Sequence, residues 1–320
     1  MLVAGLIVLI VGAELLVRGA VAVALKMRIS PLVIGMTIVS IGTSAPELLV
    51  SIKGVLSGYP DVSVGTIVGS NISNLGLVLG VTVLIFPIEV NRNSIRVDWP
   101  FMMFSSILFY FFVRNGVLSF WQGLFFVVII SIFIFIIIYT SRRSGKRQIV
   151  EEEIDVEASK KGSSIKDIFL LLLGIVGLYF GSGWLVDSVV HIAGDYGVSE
   201  KLISISVVAF GTSLPELVTS AVAAFRKKSD IAMGNLIGSN VFNILAILGI
   251  TAMIRPMGVS DSINNFDIYV MLFISFILLP IMLIGKKVGF FKGLILIAVY
   301  GFYIYYSFAS EISGIVSENI

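Results

Sequence analysis

Cysteine is absent from this 320-residue chain, histidine occurs once, and charged residues make up only 13% of it. The first absence excludes disulfides and thiolate metal sites. The second excludes histidine-cluster metal centres, and together they leave no nucleophile–base set for catalysis. An enzyme is not expected, and no resident cofactor or nucleic acid partner is called for. Apolar residues fill the space instead: the chain is 57% hydrophobic, with a mean hydropathy of +1.04. Stretches near 20 residues recur, each long enough to cross a hydrocarbon core. They are continuous rather than alternating, which excludes a transmembrane barrel. The expected fold class is an all-α polytopic membrane protein.

Ten spans are expected, near 2–25, 31–57, 62–86, 99–113, 117–140, 166–190, 199–225, 231–254, 267–285 and 289–309. The first run, Met1 to Leu25, lacks a basic leader region and a cleavage motif and reads as a retained span. One polar stretch, 141–165, carries Arg142, Arg143, Lys146 and Arg147, then Glu151 to Glu153, then Lys160 and Lys161. Its composition is that of a mobile linker. It divides the chain into 1–140 and 166–320. With the N-terminus outside, 17 of 22 Lys and Arg fall on inner loops and 4 on outer ones. Basic residues accumulate on the cytoplasmic side, so both termini are expected outside a plasma membrane, extracellular or periplasmic, and the linker inside.

The segment Gly42-Thr43-Ser44-Ala45-Pro46-Glu47 returns as Gly211-Thr212-Ser213-Leu214-Pro215-Glu216, 169 residues later. At that offset about a third of positions 30–90 match 199–259, against roughly a tenth expected by chance. Gly65, Gly69, Ser70, Asn71, Asn74, Gly80, Thr82 and Pro87 meet Gly234, Gly238, Ser239, Asn240, Asn243, Gly249, Thr251 and Pro256. Five spans per half is an odd number, so the second half is expected upside down relative to the first, an inverted repeat.

The repeated residues have one chemistry. Ser40, Thr43, Ser44, Glu47 and Ser51 share a helical face, as do Thr212, Ser213, Glu216 and Ser220. Thr66, Ser70 and Asn74 form a second stripe, and Asn235, Ser239 and Asn243 repeat it. Pro46 and Pro215 each leave a carbonyl one turn earlier without its helical partner. Carboxylate, amide, hydroxyl and backbone oxygens are ligands for hard cations. Two glutamates balance one Ca2+, and the neutral oxygens around them suit Na+. Ions that share two carboxylates compete for them, which is a physical basis for exchange. A carboxylate at bilayer depth is costly and rarely idle. A channel with the same lining is the rival, but broken helices in an inverted repeat serve alternating access rather than a ring-shaped pore. Glu14 and Arg18, four residues apart, read as an internal ion pair, and His191 as interfacial.

Ser40 to Glu47 with Gly65 to Asn74, and Ala209 to Glu216 with Gly234 to Asn243, resemble the two alpha-repeats of the cation/calcium exchanger superfamily, in particular its sodium/calcium exchanger branch. The resemblance covers nearly the whole chain. It implies ten helices in two inverted five-helix repeats, with broken second, third, seventh and eighth helices around a central cation site. It places ion ligands on the carbonyls of Ser40 and Ala209, on Thr43, Ser44, Glu47, Ser70 and Asn74, and on Thr212, Ser213, Glu216, Ser239 and Asn243. It implies Ca2+/Na+ antiport by a single chain, with both ions as cargo. The potassium-dependent branch has Asp where this chain has Asn243, which lowers the site charge by one and argues against K+ co-transport. The proton/calcium branch typically carries a Gly-Asn-x-x-Glu core that is absent here, so Na+ is favoured over H+ as counter-ion.

The expected topology is directly testable in a chain without cysteine. A single cysteine replacing Ser159 should label only from the cytoplasmic side, and one replacing Ser310 only from outside. Labelling of both from the same side would rule out ten spans.

Overall fold

The computed structural model describes residues 1–148, 164–195, 209–261 and 263–318. Helix α1 (Leu2–Met27) leads into a bent pair, α2 (Pro31–Thr43) and α3 (Ala45–Leu56), whose axes differ by 46°. Helix α4 follows over 60–85 with a π turn at Asn74–Val78, then α5 over 94–113 and α6 (Phe120–Gln148). The series then recurs as α7 (Ser164–Asp195), α8 (Ala209–Thr212), α9 (Leu214–Phe225), α10 over 229–254, α11 over 263–283 and α12 (Phe290–Glu318). Among the described residues seven helices are long and apolar enough to cross a membrane, or eight with the bent pair as one span. The remaining expected spans are shorter: the α-helical part of α5 has 15 residues and α9 has 12. Residues 199–208, where the seventh span was expected to begin, lie outside the described residues.

Two local expectations are revised. The polar stretch expected as a linker over 141–165 opens as a continuation of α6, helical to Gln148; its Arg, Lys and Gln residues are good helix formers, and charge alone does not end a helix. Residues 149–163 lie outside the described residues. The all-helical expectation holds except for four two-residue strands among the described residues: β1 (Ile88–Glu89), β2 (Val117–Leu118), β3 (Met257–Gly258) and β4 (Lys287–Val288).

Those strands display the repeat. β1 pairs with β4 and β2 pairs with β3, both antiparallel. At the 169-residue offset β1 corresponds to β3, and β2 lies one residue from correspondence with β4. Each ladder is therefore the image of the other under a twofold exchange of halves. Other features keep the offset too. The π turns Ser94–Asp98 and Ile263–Asp267 correspond, as do the left-handed residues Gly116 (φ 76°) and Gly285 (φ 71°), and Gly58 (φ 86°) and Lys227 (φ 58°).

The inversion is visible where α1 meets α7. A Cβ on Gly5, Gly12 or Gly19 would lie 3.0 Å from the carbonyl oxygen of Gly181, Gly174 or Asp167 respectively. Seven residues forward on α1 is seven backward on α7, so these repeat-equivalent helices are antiparallel. Small residues let the backbones touch, as is common between helices in lipid. The two halves are not in identical surroundings, however. α1 packs along α9, while its equivalent α7 makes no comparable contact with α3. Glu14 is not confined to Arg18, since it also accepts hydrogen bonds from Arg226 at the end of α9. Lys26 pairs with Asp167 across the α1–α7 contact.

Polarity runs from inside to outside in the reverse of a soluble protein. Glu47, Ser51, Asn74, Glu216, Ser239 and Asn243 are fully buried, while Phe111, Phe135, Phe291 and Phe302 are exposed. The repeated carboxylates and the Asn and Ser beside them lie in the protein interior, where a bilayer tolerates such groups.

The α1–α7 contact predicts a contrast between two glycines of one helix. A Cβ on Gly174 would sit 2.5 Å from the Leu16 backbone nitrogen, whereas one on Gly183 would meet nothing within 4 Å. Gly174→Ala should destabilise by about 1–3 kcal/mol, read as a lower melting temperature in detergent. Gly183→Ala should leave that temperature unchanged or slightly raised.

Candidate cation site

Pro46 and Pro215 occupy the first turns of α3 and α9, and each helix is preceded by a non-helical serine. Ser44 has φ −86°, ψ 10° and Ser213 has φ −86°, ψ 2°, so the same break is built twice. Each break creates a helix N-terminus inside the protein, with Glu47 or Glu216 in its first turn. A helix N-terminus carries partial positive charge and free N–H groups, so it is a suitable place for an acidic side chain. Gly42 and Gly211 have a packing role that periodicity did not reveal. A Cβ on Gly42 would strike Ile175 at 2.7 Å, and one on Gly211 would overlap Val186. Helix α7 thus passes directly over both breaks.

Apart from Ser70 to Glu47, the hydrogen bonds that follow cross from one half to the other. Ser44 Oγ donates to Glu216 Oε1 at 2.8 Å. Ser70 Oγ lies 3.4 Å from Glu47 Oε1 and 3.4 Å from Ser213 Oγ. Asn243 Nδ2 donates to Ser70 Oγ at 3.3 Å, and Thr43 Oγ1 donates to Asn235 Oδ1 at 3.1 Å. The two carboxylates are close enough to interact electrostatically. Several polar atoms here are buried with no hydrogen-bond partner: Glu47 Oε2, Glu216 Oε2, Ser239 Oγ, Asn243 Oδ1, and both amide atoms of Asn74. A buried polar group without a partner costs about 1–3 kcal/mol, and more when charged. Carboxylate, amide and hydroxyl oxygens left open in this way form a donor set that a hard cation could complete. Among the described residues no group of three or more His, Cys, Asp or Glu could hold a metal. Any cation bound here must complete its shell with neutral oxygens.

The twelve expected ligands are placed as follows. Glu47, Glu216, Ser44, Ser70, Ser213 and Asn243 are joined by the contacts above, and Asn74 and Ser239 are buried on the same two helices. Thr43 is buried against Asn235, while Thr212 is only half-buried. The Ser40 carbonyl accepts from the Ser44 N–H and from Thr43 Oγ1, so it is not without partners. The Ser40 hydroxyl donates to Gly35 O and lies 3.2 Å from Asn235 O, bracing α2 against α10. Ala209 opens α8. Asn235, already on a recognised stripe, accepts from Thr43, while Asn71 and Asn240 were not expected as site residues, yet Asn71 bonds Asn243 and the Asn240 carbonyl. The matching of Asn71 with Asn240 at the repeat offset was the signal that could have marked them.

An inverted-repeat membrane protein whose acidic, oxygen-lined site lies between its halves has the architecture of a secondary transporter. The chain belongs to the sodium/calcium exchanger protein family, whose profile matches residues 1–139 and 166–309. It is 31% identical over 332 aligned positions to the sodium/calcium exchanger MaX1 of Methanosarcina acetivorans, covering 92% of this chain and 94% of that one. It is 32% identical to the inner membrane protein YrbG of Escherichia coli, covering 87% and 86%. Its structure superimposes with a TM-score of 0.80 on the sodium-calcium exchanger NCX_Mj soaked with 2.5 mM Na+ and 1 mM Sr2+, at 30% identity over 95% of this chain and 96% of that one. The family is one of membrane exchangers rather than enzymes.

The unpartnered carboxylate oxygens predict the effect of neutralising either glutamate. Glu47→Gln and Glu216→Gln should each reduce Ca2+ uptake into proteoliposomes by roughly a hundredfold or more, since breaking a buried charge pair costs about 3–5 kcal/mol. Both variants should remain inserted and monodisperse. Uptake near the parent level in either would make that glutamate structural.

Proposed function

We propose that the chain exchanges Na+ for Ca2+ across the plasma membrane, through ten spans and by alternating access, with both ions bound at Glu47 and Glu216. Glu47 Oε2 and Glu216 Oε2, both buried and without a partner, carry this reading. Two carboxylates neutralise one Ca2+, and the neutral shell around them comes from Asn74, Asn243, Ser70, Ser239, Thr43, Thr212, Ser44 and Ser213, with the carbonyls of Ser40 and Ala209. The names borne by MaX1 and NCX_Mj support Na+ as the counter-ion. The unequal contacts of α1 and α7 support alternating access. In an inverted repeat the opposite-facing state is reached when the halves exchange conformations. One chain contains the complete site and suffices for transport.

The charge count has a consequence. With two Glu and the neutral Asn243, a site loaded with more than two Na+ is net positive, while the Ca2+-loaded site is near neutral. Exchange of one load for the other must move charge. A Na+ gradient should drive 45Ca2+ uptake into proteoliposomes, and a potential set by K+ and valinomycin should accelerate or retard it according to sign. Each charge crossing the full field is worth about 2.3 kcal/mol per 100 mV, so the effect should be large. Uptake that follows a pH gradient and ignores both Na+ and the clamp would establish proton exchange instead.

A further inference from the structure

The amide of Asn243 is the neutral ligand that distinguishes this site from one with a third carboxylate, and an amide binds a cation only through its oxygen. Which end faces the site therefore matters. Three hydrogen bonds decide it. The backbone carbonyl of Asn240 can only accept, and Asn71 Nδ2 donates to it at 3.3 Å, with Met271 Sδ a further neighbour at 3.8 Å. This turns Asn71 Oδ1 toward Asn243. Asn243 must then present its Nδ2, which donates to Asn71 Oδ1 at 3.0 Å and to Ser70 Oγ at 3.3 Å. Both amide hydrogens of Asn243 are used, and its Oδ1 is left buried without a partner. Ser70, having accepted, directs its own hydrogen toward Glu47 Oε1 or Ser213 Oγ.

The other half lacks this device. Asn240, the repeat equivalent of Asn71, spends its Nδ2 on Leu236 O within its own helix, at 2.7 Å. Asn74, the equivalent of Asn243, has both amide atoms without partners. One amide of the site is locked and the other can turn.

We propose that Asn71 is a positioning residue for cation binding: through the relay Asn240 carbonyl–Asn71–Asn243 it fixes the Asn243 amide with its oxygen toward the site, so that a neutral side chain serves as a permanent cation ligand. This rests on the reading of Asn243 as a ligand. Without Asn71 the amide turns over, offering N–H to the cation in part of the population, and the binding of Ca2+ weakens.

A carboxylate at position 243 has two equivalent oxygens and needs no such orientation, which separates positioning from simple structural support. The measurement is the half-saturating Ca2+ concentration for Na+-driven uptake in proteoliposomes, with equilibrium 45Ca2+ binding to the purified protein as a second readout. Asn71→Ala should raise it about tenfold, the worth of one hydrogen bond to a charged group. In the Asn243→Asp background the same substitution should raise it less than threefold. An equal rise in both backgrounds would make Asn71 structural and overturn the proposal, and so would no rise in the parent. Asn243→Ala separates the two readings: if it leaves Ca2+ half-saturation unchanged, Asn243 is not a ligand and the relay has no purpose. If it weakens Ca2+ while Asn71→Ala does not, the relay alone is overturned. Should Asn71→Ala not insert, Asn71→Ser, which is too short to bridge Asn240 and Asn243, carries the same comparison.

Discussion

Two carboxylates must be kept inside a membrane protein, and nearly every unusual feature of this chain answers to that constraint. An ionised carboxylate has no place against lipid, so Glu47 and Glu216 are enclosed by four core helices rather than exposed at the surface. Enclosure removes water, so their partners must come from the chain. Straight helices spend their backbone groups on themselves. The breaks at Ser44 and Ser213 restore free N–H groups at depth, and each places a glutamate in the first turn that follows. The chain then satisfies only part of what it has buried. One oxygen of each carboxylate is hydrogen-bonded, Glu47 by Ser70 of its own half and Glu216 by Ser44 of the other half, and the second oxygen has no partner. A fully satisfied pair would bind nothing, and a wholly unsatisfied one would destabilise the fold by several kcal/mol.

The parts of the structure legible in the sequence are those that repeat. The motif around Glu47 recurs around Glu216, and the 169-residue offset predicted the paired breaks, the inversion and the stripes of Ser, Thr and Asn on the core helices. These were readable because helical periodicity and Gly–Pro punctuation are local signals. What was not readable depends on which residue of one half meets which residue of the other. Asn235 lay on a recognised stripe, but only the packing of α2 on α10 brings its amide to Thr43. Glu14 and Arg18 satisfied an i, i+4 pattern that concealed the longer contact to Arg226. The glycines of the motif carry no sign in the sequence of their neighbours Ile175 and Val186, which press against them from α7. Spacing within a helix says nothing about a neighbour 130 residues away.

The repeat is strict in the ion site and relaxed around it, and that difference has a physical sense. The Glu, Thr, Ser and Asn side chains of the candidate site occur in matched pairs, so under the proposed alternating access an exchange of conformations between the halves would rebuild much the same site facing the other way. Exchange needs two states of similar free energy, and a symmetric backbone supplies them. Under the proposed alternating access, a contact present in only one half would weight one state over the other. The link from Glu14 to Arg18 and Arg226 is such a contact, because the positions equivalent to Glu14 and Arg226 are Gly183 and Ser57, which cannot form an ion pair. Were α1 and α7 to trade environments, those equivalent positions could not form the same link. An exposed ion pair contributes little to overall stability. Between two states that are nearly equal, even a small difference shifts the populations, since their ratio depends exponentially on the gap. In the proposed cycle the matched residues would make the two states possible, and the unmatched ones would weight one against the other.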